Sequence, residues 1–189
     1  MAIAPIRICF VCSGNICRSP TAAVVLTRLA ADQGRADLLA VDSAGTGDWH
    51  AGDDMDTRAR RTLVHGGYDV ATHCARQFDA ADFERRDLVV ALDAGHLHAL
   101  WWLATEATDV DAARRKIVLL RAFDPQWQPG DDGDVPDPYY GGPDGFREVL
   151  QTVESSCAGL LQAVVEAVDG GAPVAEVAAR LQQTGRPPL

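Results

Sequence analysis

Apolar positions fall along this chain in two rhythms. Ile6 to Val11 is a short run of β-branched and aromatic residues, interrupted by Arg7 and stopped by Gly14, which predicts a buried strand running into a loop. Leu38–Ala44, Asp87–Leu92 and Ile117–Leu120 have the same character and predict three more strands. Between them the spacing lengthens to the helical period. Ser19-Pro20 opens an Ala-, Val- and Leu-rich stretch to Gln33, with Gly34 as its stop. Proline suits that early helical position, where a missing N–H costs nothing. Asp56–Val64, ended by Gly66-Gly67, and Ala94–Leu103 read as two further helices. Trp101 and Trp102 are expected to pack the second of these against the sheet. From Phe146 onward, Val149, Leu150, Val153, Leu160, Leu161, Val164, Val165 and Val168 keep helical spacing. They predict a long core helix with Asp144 as its N-cap.

Strands alternating with helices over short connections give an α/β fold: a three-layer α/β/α sandwich around a four-stranded parallel sheet. Such sheets bind ligands at the carboxyl ends of their strands. Arg121 to Pro143 carries five aspartates and five prolines and reads as an exposed acidic loop. Val174, Val177, Ala178 and Leu181 fall at helical spacing within Pro173–Thr184. The chain therefore reads as one domain, 1–189, with 170–189 an appended helix or tail.

With 189 residues, 47% of them hydrophobic and 23% charged, the chain can build a packed core. Its formal net charge of -10 argues against nucleic acid and anionic lipid as partners. A ligand that is itself an anion must find its positive field locally, in backbone N–H groups and a few arginines. Among 17 basic residues only Lys116 is a lysine, a composition that resembles products of GC-rich bacterial genomes. Five cysteines, three of them crowded near the N-terminus, do not form an extracellular disulfide framework. With no signal-like apolar segment and no span long enough for a bilayer, the expectation is a cytoplasmic protein with reduced thiols and no membrane insertion.

The chemistry concentrates in Cys12-Ser13-Gly14-Asn15-Ile16-Cys17-Arg18-Ser19-Pro20, between a predicted strand and a helix N-terminus. Gly14, with Asn15 able to adopt a left-handed backbone, can turn successive N–H groups inward as an anion nest capped by the helix dipole. This makes the segment an N-terminal phosphate-binding loop of Ser13, Gly14, Asn15, Ile16, Cys17, Arg18 and Ser19. The same field stabilises a thiolate, which makes Cys12 a nucleophile at neutral pH. Arg18 offers a planar fork to two phosphoryl oxygens, and Ser19 can hydrogen-bond the Cys12 sulfur. Thiolate attack on a phosphate monoester expels a poor leaving group unless an acid protonates it. Asp137 is the candidate acid, held between Pro136 and Pro138 and followed by Tyr139 and Tyr140, which can wall a pocket for a phenolic ring.

Over roughly Ile6 to Val168 these features resemble the low-molecular-weight protein tyrosine phosphatases. The C(X)5R signature alone occurs in several folds. Its position at the extreme N-terminus, its extension to Ser19-Pro20 and the distant Asp137-Pro138-Tyr139-Tyr140 make the resemblance specific. The resemblance implies hydrolysis of protein phosphotyrosine through a cysteinyl-phosphate on Cys12, with Arg18 binding the phosphoryl group and no metal or cofactor. It implies that Ser19 assists the thiolate and that Asp137 acts first as acid and then as base. It also implies supporting roles for Asn15, Ser43 and His73, a substrate-lining role for Trp49, Tyr139 and Tyr140, and a protective disulfide between Cys17 and Cys12 under oxidation. The chain departs from the family in its length beyond Val168 and in the stretch from Gln126 to Gly133.

Other readings are weaker. Cys9 and Cys157 read as small core residues. No second paired motif accompanies Cys9, Cys12 and Cys17, as a zinc site would need. Asp134 is the competitor of Asp137. His50, His65, His96, His98 and Trp127 offer no visible partner. A protein-arginine phosphatase uses a threonine where this chain has Ile16, and a thiol-coupled arsenate reductase needs a close cysteine pair, whereas Cys74 and Cys157 are far apart in sequence. An oxyanion-binding module would be signalled by loss of the nucleophile or the acid, whereas Cys12, Arg18 and Asp137 are all present.

Overall fold

The alternating side chains of the first strand divide the interior in two. In the computed structural model, which describes residues 4–128, 132–173 and 176–178, β1 (Ile6–Cys12) lies between β2 (Leu39–Gly45) and β3 (Leu88–Ala91), with β4 (Ile117–Leu119) outside β3. All pairings are parallel, and Phe10 stands opposite Ser43 on one side and Val90 on the other. Ile6, Ile8 and Phe10 share a core with Val25 and Leu26 of α1 (Arg18–Asp32), Leu63 of α2 (Thr57–His65) and Val153 and Leu160 of α6 (Pro143–Asp169). Cys9 and Val11 point the other way, toward Phe83 of α3 (Asp82–Arg85), Leu97 and Leu100 of α4 (Ala94–Leu103) and Ala113 of α5 (Val110–Arg115). The period of two thus creates two helix layers on one sheet, the expected α/β/α sandwich. Truncating a fully buried residue such as Leu26 to alanine costs about 2–5 kcal/mol.

The strand order β2-β1-β3-β4 means that the chain leaves β1 toward one neighbour while its other neighbour arrives later. The carboxyl end of β1 is therefore a switch point, where a crevice opens between divergent connections. Gly45, the last residue of β2, keeps that crevice closed at the back. A Cβ there would lie 2.6 Å from the Ser13 carbonyl oxygen and 3.1 Å from that of Gly47, so the close backbone approach requires glycine.

Three expectations need correction. Helix α6 begins at Pro143 with Gly142 as N-cap, because proline's fixed φ starts the helix before Asp144 can cap it. Asp144 sits in the first turn instead, where its charge still complements the helix dipole. Trp101 and Trp102 do not pack α4 on the sheet. Leu97 and Leu100 do that, and Trp102 is 76% exposed. The segment 121–143 is only partly an exposed loop: a 3-10 turn covers Leu120–Phe123, Asp124 is buried and accepts from Ser155 Oγ, and Val135 is fully buried. Helices α3 and α5 are additions, each too short to leave an apolar period in the sequence. Most of Pro173–Thr184 lies outside the described residues, although Val177 and Ala178 are buried in the α6 core. Among the described residues, no helix is long and apolar enough to cross a membrane.

Candidate active site

Cys12 closes β1 and Arg18 opens α1, so residues 13–17 must turn the chain within one loop. Asn15 takes the left-handed conformation, φ 58°, which costs a non-glycine residue of the order of 1 kcal/mol. Its neighbours hold it there. The side-chain amide donates to Ser19 Oγ and Ser43 Oγ, each at 2.9 Å, and its oxygen accepts the Arg76 N–H at 3.0 Å. The Asn15 carbonyl lies 2.7 Å from His73 Nε2. No side chain caps α1 at Cys17, which leaves the first N–H groups of a 15-residue helix open toward the loop.

Ser19 Oγ lies 3.0 Å from Cys12 Sγ, accepts from Asn15, and can donate to the Ala44 carbonyl at 3.2 Å. A hydroxyl has one proton. With a neutral thiol, Cys12 donates to Ser19 while Ser19 donates to Ala44. With a thiolate, the Ser19 proton turns to the sulfur. The serine therefore serves both protonation states without moving.

The buried Arg18 guanidinium is divided between two carboxylates. Nη1 donates to Asp93 Oδ2 at 2.7 Å and to the Val135 carbonyl at 3.2 Å, while Nη2 donates to Asp137 Oδ2 at 3.0 Å. Asp93 caps α4 by accepting the His96 N–H at 2.7 Å. Burial alone would raise the Asp93 pKa, but His96 and the Arg18 charge outweigh it and hold it down at about 2. The buried His96 ring sets its Nε2 2.8 Å from Ser13 Oγ. Its Nδ1 is 2.9 Å from Asp93 Oδ1 yet out of hydrogen-bonding alignment. A chain of contacts thus runs from the loop through His96 and Asp93 to Arg18.

The opposite wall is more open. The Asp137 side chain is 49% exposed, and its Oδ1 accepts the Tyr139 N–H at 3.0 Å. Tyr139 and Tyr140 meet edge to face at 5.1 Å, with Trp49 and His50 on the far side of the mouth. Arg58, itself paired with Asp56, lies over the Tyr139 ring at 5.5 Å and donates to its carbonyl at 3.0 Å. Between these walls is a pocket of about 360 Å³ with Cys12 and Arg18 among its lining residues.

The pocket brings together Cys12, Ser13, Gly14, Ile16, Cys17, Arg18, Trp49, Asp137, Tyr139 and Tyr140. Asn15, Ser19, Ser43 and His73 stand behind the loop in one hydrogen-bond network. Asp134 instead accepts the Ala94 N–H at the start of α4. All five cysteines are free thiols. Burial, with the nearby Asp56 charge, pushes the Cys17 thiol up to about 12, and burial also raises Cys9 and Cys157. Sequence reading missed four contributors: His50 in the pocket wall, Asp93, His96 and Arg76. The expectation that His50 and His96 lack partners is corrected, since His50 Nδ1 lies 2.9 Å from Asp53 and His96 contacts Ser13. One signal was available: Asp93 lies two residues past the end of β3, at the carboxyl end of a parallel strand where ligand-facing residues collect.

A family model described as low molecular weight phosphotyrosine protein phosphatase matches residues 7–169. The low molecular weight protein-tyrosine-phosphatase of Streptomyces coelicolor is 54% identical over 166 residues, 88% of this chain and 98% of its own length. A protein tyrosine phosphatase from Entamoeba histolytica superposes with a TM-score of 0.76 at 30% identity, covering 87% of this chain and 98% of its own. A drosophila arginine phosphatase does so with a TM-score of 0.75 at 31% identity, covering 83% and 96%. The match to the family model runs through the whole sheet, both walls of the pocket and the long last helix, and on that ground the chain belongs to the low molecular weight protein-tyrosine phosphatases, an enzyme of the hydrolase class.

Proposed function

We propose that the enzyme hydrolyses phosphotyrosine in proteins through a phosphocysteine on Cys12. The observation that carries this reading is the convergence on one pocket of the Cys12 sulfur, the Arg18 guanidinium and the Asp137 carboxyl beneath an aromatic mouth. The phosphoryl oxygens take the loop N–H groups and the Arg18 fork, which are arranged before substrate arrives. In doing so they compete for the Arg18 N–H now given to Asp137, and the released carboxyl can address the leaving-group oxygen. The Cys12 thiolate attacks phosphorus, the tyrosine oxygen leaves, and Asp137 supplies its proton. Water then attacks the phosphocysteine while Asp137, now a carboxylate, accepts a proton from it. Phosphate leaves and the thiolate returns, held by Ser19. Trp49, Tyr139 and Tyr140 suit a flat phenolic ring at the mouth. Five free thiols fit a reducing compartment such as the cytoplasm.

A second reading, phosphoarginine as substrate, draws on the drosophila neighbour's name. Ile16, with its apolar side chain in the pocket, and the paired tyrosines favour an aromatic substrate instead. Phosphate release from matched phosphotyrosine, phosphoserine and phosphoarginine peptides without added metal, with Cys12→Ser as blank, separates the readings. Release from phosphotyrosine alone is the expected result. A preference for phosphoarginine would keep the chemistry and overturn the assigned substrate.

A further inference from the structure

Behind the Tyr139 wall, between α2 and the start of α6, lies a second groove of about 480 Å³ that no step above uses. Its floor is Leu150, and its rim carries Arg58, Arg61 and His65 from α2 and Arg147 from α6. In a chain of net charge -10 this is a local concentration of positive groups. Arg61 makes no hydrogen bond or ion pair among the described residues. Among the described residues, Arg147 pairs only with the exposed Asp144 one turn away, an exchangeable partner. The one carboxylate in the lining among the described residues, Glu154, accepts from the Tyr68 hydroxyl at 2.7 Å.

This groove and the proposed catalytic pocket are separated by the Tyr139 wall, which Arg58 touches from the groove side. The Arg58 guanidinium carbon is 5.5 Å from the Tyr139 ring and 4.7 Å from the Phe146 ring, so Tyr139 borders the pocket on one face and meets the groove's arginine on the other. An extended peptide advances about 3.4 Å per residue, so a side chain two or three residues from a bound phosphotyrosine travels roughly 7–10 Å and clears that wall. We infer that the groove of Arg61, His65 and Arg147 is a substrate subsite that receives an acidic residue flanking the phosphotyrosine. The inference rests on the phosphotyrosine reading and narrows its substrate class to acidic phosphopeptides. The apolar floor takes the methylene stem of the glutamate or aspartate while the carboxylate meets the free Arg61 and draws Arg147 from Asp144.

The test compares kcat/KM for phosphotyrosine peptides carrying glutamate at the second and third positions on either side with glutamine versions, and for p-nitrophenyl phosphate, which reaches only the catalytic pocket. Two exposed charge contacts predict a preference for glutamate of about fivefold at low salt, expressed in KM and fading at about 0.5 M salt. Combining Arg61→Glu with Arg147→Glu should abolish or invert that preference and leave p-nitrophenyl phosphate turnover in place. Arg115→Glu on α5, the charge change of each single replacement made on the opposite helix layer, should retain it. Equal kcat/KM for both peptides in the wild-type enzyme would overturn the subsite, as would a preference that survives the double variant or falls equally with Arg115→Glu. In those cases continued p-nitrophenyl phosphate turnover keeps the reaction itself standing, whereas no turnover of any substrate overturns both.

Discussion

The two walls of the pocket are built differently. On one side, Cys12 and residues 15–19 are buried and over-determined: Asn15 is held by Ser19, Ser43, His73 and Arg76, and Arg18 is held by Asp93 and the Val135 carbonyl. On the other, Asp137 is half exposed, Tyr140 is 95% exposed, and few contacts reach either. On the proposed mechanism, the difference follows from what each wall must do. An anion site with a nucleophile gains from groups fixed in advance, because nothing then reorganises as charge develops. A proton donor must move between Arg18 and a leaving group, and a mouth must accept varied proteins, so both belong on the mobile surface of a rigid frame.

If the buried wall carries the chemistry, Cys12→Ser should lower turnover by about 10⁴-fold or more while the protein still binds substrate. Residual turnover near the wild-type rate would move the nucleophile elsewhere. The open wall should yield a smaller and more selective effect: Asp137→Asn is expected to reduce kcat by about 100-fold, most for leaving groups of high pKa. A loss that is the same across a leaving-group series would remove the acid role from Asp137 and send the search to Asp134. Smaller again is the pH effect of the frame itself. The Asp93 pKa lies near 2, below the ordinary value of about 3.9. Its ionised form therefore contributes roughly 2 kcal/mol of stability that is present above pH 4 and lost as pH falls toward 2. Urea midpoints of the wild type and Asp93→Asn should converge over that interval, and parallel curves would break the link. Least affected should be Tyr140→Ala, with a change of only a few-fold confined to KM for peptides, since that side chain is 95% exposed at the rim, edge-on to Tyr139.

The same contrast explains what the sequence disclosed. Cys12 to Ser19 was legible because strand end, left-handed turn, arginine fork and helix start are consecutive, so local rules suffice. The sheet was legible from runs such as Ile6–Val11, though each strand differs by one residue at one or both ends. Asp137, which lines the pocket, was singled out through its proline flanks and the family resemblance. Asp93, His96 and Arg76 were not, because each acts on a loop some 60 to 80 residues away, a partner that only sheet register supplies. Trp101 and Trp102 misled for a related reason. The α4 helix is apolar on most sides, and neighbouring Leu97 and Leu100 took the sheet-facing positions.

The central claim is that phosphorus passes through the Cys12 sulfur. Acid quenching within milliseconds of mixing enzyme with a phosphotyrosine peptide, followed by peptide mapping by mass spectrometry, tests it directly. The account predicts phosphate on the peptide containing Cys12, absent in Cys12→Ser and more abundant when water attack is slowed in Asp137→Asn with a good leaving group. Phosphate on any other residue, or turnover with no phosphorylated enzyme detectable under conditions where hydrolysis is rate-limiting, would contradict it.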